Sequence, residues 1–108
     1  MNYLQKAEKA IEYLQESESE YARLKALVKY APDRLKMYQA TLVLESKEKT
    51  VAGRTTAALA HPEYEQTVKS YETISAEFFE IQEKRNRAEI TVEFWRSLNS
   101  AQKLGNPI

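Results

Sequence analysis

The amino-acid sequence predicts an all-α fold, a long antiparallel helical hairpin of coiled-coil character. Three observations carry the prediction. An unbroken heptad runs through His61–Leu98, with Tyr64, Tyr71, Phe78, Arg85 and Val92 at a positions and Thr67, Ile74, Ile81, Ala88 and Trp95 at d positions. That repeat belongs to a helix packed along its length against other helices. A series with the same four-three spacing fills the first half of the chain, and Ala60-His61-Pro62 separates the two. Composition agrees, with two glycines and three prolines in 108 residues and a bias towards Ala, Glu, Lys, Leu and Arg. The expected layout is one domain over residues 1–108, with a helical arm at about 2–59, a turn at about 60–62 and a second arm at about 63–103.

The first arm opens with Tyr3, Ala7, Ala10, Leu14 and Ser17 on one face. Five glutamates against two lysines leave Met1–Glu20 at −3. Ser17–Glu20 is polar, but the register resumes without a shift at Tyr21, Leu24, Val28, Ala31, Leu35, Tyr38 and Leu42. Ala52, Thr56 and Leu59 extend it to the turn. Pro32 lies inside this series. A mid-helix proline removes a hydrogen bond and clashes with the preceding turn, at about 3 kcal/mol. The arm is therefore either kinked at Pro32 or split there, with Pro32 opening a new helix.

Thr50–Thr56 is β-branched and weakly helical, and Gly53 costs roughly 1 kcal/mol against Ala, so fraying is expected there. Pro62 biases His61 away from helical angles and pre-sets the first position of the second arm. Glu63 and Glu65 then put negative charge where the helix dipole favours it. Lys103 followed by Gly105-Asn106-Pro107 is a stop signal. So long a hairpin buries little core per residue, and assembly into a homo-oligomer is expected.

Several function classes are excluded by what is missing. The chain has no cysteine, hence no disulfide, thiolate nucleophile or zinc knuckle. His61 is the lone histidine and stands at a turn without a set of neighbours at metal-ligand spacing. The Glu-x-x-His signature of di-iron bundles, a glycine-rich phosphate loop and a serine elbow are all absent. No catalytic, cofactor-binding or metal residue is assigned, and the chain is expected not to be an enzyme. No apolar run reaches the roughly 18–20 residues of a membrane span, and the N-terminus has no signal-peptide core. A cytoplasmic protein without a membrane partner is the expectation.

Net charge is zero, but it is not evenly spread. Arg23–Arg54 holds eight basic residues against Asp33, Glu45 and Glu48, a balance of +5. Lys25, Lys29, Arg34, Lys36, Lys47, Lys49 and Arg54 form the candidate nucleic-acid-binding set, with Tyr30 and Tyr38 interleaved. Cations neutralise phosphates and aromatic faces stack on bases. The plainer reading is an ordinary solvated helix face. Arg85 occupies a core a position, as does Asn99, where polar groups fix register or oligomer number; Glu45 or another acidic residue across the hairpin is its expected partner. Phe79 and Phe94 flank the seam and Trp95 lies on it. The three are assigned to an oligomer interface rather than to a ligand pocket.

Ala60-His61-Pro62-Glu63-Tyr64, followed by Val92-Glu93-Phe94-Trp95-Arg96-Ser97, resembles a group of short helical phage proteins. They share an AHPEY turn, a long helix, a WRS element and a basic preceding helix. In length and layout the chain also resembles the UvsY-type phage recombination mediators, over roughly residues 20–103. The resemblance implies a hairpin that assembles into a ring-like homo-oligomer and binds single-stranded DNA. It further implies recombinase and single-strand-binding protein as partners, in the cytoplasm of a host cell. The basic residues from Lys25 to Arg54 would then contact DNA. The alternative is a helical protein–protein interaction module, a phage inhibitor or adaptor of a host enzyme that presents Phe79 and Phe94 and binds no nucleic acid.

Overall fold

The computed structural model describes residues 2–103 and Gly105, among which there are three helices and no strand. Helix α1 spans Tyr3–Glu45, α2 Val51–Leu59 and α3 Pro62–Lys103. The chain divides into two compact units. The first joins Met1–Ala22 to Phe79–Ile108, and the second is Arg23–Phe78.

Each helix starts on a local hydrogen-bond device. At α1 the Asn2 side chain accepts from the Gln5 N–H at 2.8 Å, while the Gln5 side chain accepts from the Asn2 N–H at 3.1 Å. This is a reciprocal capping box that satisfies two otherwise orphaned donors. Thr50 caps α2 by accepting from the Gly53 N–H. At α3 the cap is His61, whose Nδ1 accepts from the Glu63 N–H at 3.1 Å, with Pro62 first in the helix and Glu63 and Glu65 in its first turn. Lys103 stands in the last turn of α3. Gly105 takes a positive φ of 79° and its N–H donates to the Gln102 carbonyl, a left-handed closure that glycine adopts without strain. The Asn106 and Pro107 part of the expected stop signal lies outside the described residues.

The heptad seams are the faces that pack. In α1, Ala7, Ala10, Leu24, Ala31 and Leu42 are buried, and Leu14, Ser17, Tyr21, Val28, Leu35 and Tyr38 are half-buried. In α3, Phe78, Ala88 and Val92 are buried, with the remaining a and d residues from Tyr64 to Trp95 half-buried. Alanine recurs among the buried residues, at Ala7, Ala10, Ala31, Ala58 and Ala88. In the first unit the two helix segments run antiparallel. Tyr3 meets Phe94 edge to face at 5.2 Å, while further along α1 the Leu14 carbonyl meets Arg85. Ala10, Ala88 and Val92 form the core there, with Tyr13 and Leu14 against it. In the second unit Leu24, Ala31, Leu42, Ala58 and Phe78 are buried.

Two expectations for the first arm are corrected. It is not one helix from about 2 to 59, because residues 46–50 leave the helix. At the exit the Ser46 hydroxyl accepts from the Glu48 N–H at 3.2 Å, a local alternative to the helical ladder, and Thr50 then starts α2 afresh. The restart changes the register. Ala52, Thr56 and Leu59 are exposed, and Ala58 is the buried residue of α2. At Pro32 the split alternative does not occur, since α1 continues through it. Pro32 itself is exposed while Ala31 beside it is buried, so the ring faces away from the seam.

Candidate nucleic-acid interface

All seven candidate basic residues belong to the second unit, and they fall in three places. Lys25, Lys29 and Lys36 are exposed on α1. At 100° per residue they lie within about 40° of one another, forming a row along one edge of the outer face. Arg34 is also exposed, but sits roughly 160° round the helix from that row. Lys47 and Lys49 are exposed in the connector between α1 and α2. Arg54 is half-buried, and its Nε donates to the Glu48 carbonyl at 2.8 Å, so it ties α2 to the connector.

Between the lysine row and Arg34 runs an apolar stripe. Tyr30, Met37 and Leu44 are spaced by seven residues and are 51%, 70% and 81% exposed. Ala26, Asp33 and Ala40, all exposed, complete a four-three series on the same side. The Lys29 amine stands 5.5 Å from the centre of the Tyr30 ring, a cation–π contact. The outer face of α1 is thus an aromatic and aliphatic strip with the lysine row along one edge and Arg34 and Glu45 on the other.

Tyr38 is not part of that strip. It sits on the packed side of α1, where its hydroxyl donates to the Glu63 carboxylate at 2.7 Å. The hydrogen bond and negative charge of Glu63 raise its pKa above the ordinary tyrosine value, because the phenolate would forfeit the bond and face a carboxylate. The grouping of Tyr38 with the basic face is therefore corrected. A tyrosine at a d position of the register belongs to the seam, and the series Tyr21-Leu24-Val28-Ala31-Leu35-Tyr38 carries that signal.

Arg85 has different partners from those expected. Its Nη1 donates to the Leu14 carbonyl at 2.8 Å and to the Ser17 hydroxyl at 2.7 Å. Its guanidinium lies 4.7 Å from the centre of the Tyr21 ring. A backbone carbonyl, a hydroxyl and a ring face take the place of Glu45, and all belong to the first unit.

The assigned interface aromatics also lie in the first unit. Phe79 is 55% exposed and Phe94 49%, the latter partly covered by Tyr3. Trp95 is half-buried and lines a small cavity with Tyr3, Lys6, Ile90, Thr91 and Phe94. Beside it, Asn86, Glu89, Ile90, Glu93, Phe94 and Ser97 line an open groove on α3. Among the described residues no group of His, Asp and Glu is placed to hold a metal ion, and no helix is long and apolar enough to cross a membrane. No protein-family model, curated protein or solved structure matches the chain.

Proposed function

We propose that the protein is a non-enzymatic, self-associating accessory protein that binds single-stranded DNA along the outer face of α1. The observation that carries this reading is the exposed lysine row of Lys25, Lys29 and Lys36 beside the Tyr30–Met37–Leu44 stripe. A single strand offers evenly spaced phosphates for cations and unstacked base faces for an aromatic ring. Lys47 and Lys49 in the connector add two further exposed cations in the same unit. A recombination-mediator role, with recombinase and single-strand-binding protein as partners, follows only from the resemblance in length and layout to the UvsY-type mediators.

Reversing Lys25, Lys29, Lys36, Lys47 and Lys49 to Glu is expected to abolish oligo-dT binding while leaving the far-UV circular dichroism unchanged. Lys84 is exposed on α3 and paired with Glu80, so Lys84→Glu serves as the control and should bind as the wild type does. Retention of binding by the five-lysine variant would refute the reading.

A protein-interaction reading is favoured by a separate observation, the solvent-facing Phe79, Ile90 and Phe94 on α3. Its outcome in the same assay is an absence of oligo-dT binding by the wild type, together with stoichiometric co-purification of a host protein.

A further inference from the structure

The two units carry opposite charge. The first has seven basic against nine acidic residues, the second nine against seven, so the units stand at −2 and +2. Among the exposed apolar residues of the two units, one group on each is bordered mainly by charges of its unit's sign. On the first, the α3 groove exposes Ile90 at 68% next to Phe94 and is lined by the carboxylates Glu89 and Glu93, while Lys6 lines the adjoining cavity that shares Ile90 and Phe94. Arg96 pairs with Glu93 from outside the groove. On the second, the α1 stripe is bordered by Lys29 and Lys36 on one edge and by Arg34 and Glu45 on the other, with Asp33 the single anion in the row.

The two features are helical faces of comparable length. Tyr30 to Leu44 covers fourteen residue steps and the groove lining from Asn86 to Ser97 eleven, about 21 and 16 Å of helix. A four-three series of exposed side chains is the pattern that a partnering helix covers. Two α1 stripes facing each other would set lysines against lysines. A stripe facing an α3 groove sets Lys29 and Lys36 against Glu89 and Glu93.

We infer that the α3 groove of one copy receives the α1 stripe of a second copy, a head-to-tail contact between unlike surfaces. Such a contact leaves one free stripe and one free groove on every pair, so assembly continues until it closes or extends. The contact uses the surface named for single-stranded DNA but does not require that DNA bind there. Because Lys29 and Lys36 border both, the carboxylates of the groove stand in for phosphates and the two ligands exclude each other.

The test uses sedimentation equilibrium of the full chain without nucleic acid. The wild type is expected to exceed its 12.5 kDa monomer mass with a concentration-dependent average. Met37→Glu with Leu44→Glu disables the stripe, and Ile90→Arg disables the groove. These positions are exposed, so circular dichroism should not change, and each variant alone should sediment as a monomer. An equimolar mixture of the two should form a heterodimer that stops at two copies, since only one stripe and one groove remain intact. A monomeric wild type, wild-type assembly by either variant, or a mixture that stays monomeric would overturn the inference. Assembly without oligo-dT affinity would remove the DNA reading and leave this contact standing. Oligo-dT affinity of a strictly monomeric wild type would do the reverse.

Discussion

Arg85 shows how one polar residue in an apolar seam fixes register. A half-buried guanidinium is held best where acceptors face it, since a partly desolvated charge without hydrogen bonds is unfavourable. Leu14 and Ser17 provide them and the Tyr21 ring covers the remaining face. A slip of one heptad would withdraw all three at once. Arg85→Lys should destabilise the fold by about 1–2 kcal/mol despite keeping the charge, because an ammonium has neither the fork nor the planar face. A double-mutant cycle of Arg85→Met with Ser17→Ala in urea unfolding should return a coupling of about 1 kcal/mol; a coupling near zero would contradict the clamp. Tyr38 makes a pH-dependent contribution. Its pKa is raised in the fold by Glu63, so its stabilisation is fully present below the unfolded value of about 10 and is lost as pH rises through the higher folded value. The stability difference between wild type and Tyr38→Phe should therefore be constant up to about pH 9 and shrink above pH 10. No change in that difference across the range would count against the bond.

At the scale of the element, the connectors rest on short-range caps. Gly53 is needed because a Cβ there would stand 2.9 Å from the Thr50 hydroxyl that caps α2 and 3.4 Å from Glu48. Gly53→Ala should thus destabilise, although alanine is the better helix former. His61→Ala should cost about 1 kcal/mol by removing the acceptor for the Glu63 N–H, and His61→Asn should restore most of it. Chemical denaturation of the three variants checks both, and a stabilising Gly53→Ala would reject the packing account. These caps also mark where the sequence was legible. The seams could be read because burial follows periodicity, and every a and d residue from Tyr64 to Trp95 is at least half-buried. The α3 start was readable from Pro62, Glu63 and Glu65. The exit at residues 46–50 was not, since the register looked continuous to Leu59. The Asn2–Gln5 box has a readable signature, a capping residue followed three positions later by Glu or Gln. The Leu14 carbonyl that receives Arg85 has none, because a backbone acceptor leaves no trace in residue identity.

For the whole molecule, the sorting of charge matters more than its sum. A chain of zero net charge gives no bulk attraction to nucleic acid, yet one face of α1 gathers Lys25, Lys29 and Lys36 into a row. Counting residues over Arg23–Arg54 found the excess of cations but could not separate the lysine row from Arg34 across the helix, or from Arg54 held by Glu48. Helical angles at 100° per residue would have made that separation, and would have exposed the Tyr30, Met37 and Leu44 series as well. The same face serves both proposals, so oligo-dT in excess should lower the average mass of the assembled protein in light scattering. The proposed function requires that α1 bind a polyanion through this row. The direct measurement is the affinity for labelled oligo-dT, read by fluorescence anisotropy over a range of salt concentrations. Five lysine contacts predict a log–log slope of roughly −3.5 for the wild type, at about −0.7 per phosphate on a single strand, and loss of binding for the variant with Lys25, Lys29, Lys36, Lys47 and Lys49 all changed to Glu. A wild type that fails to bind at low salt, or a variant that binds with an unchanged slope, would contradict it.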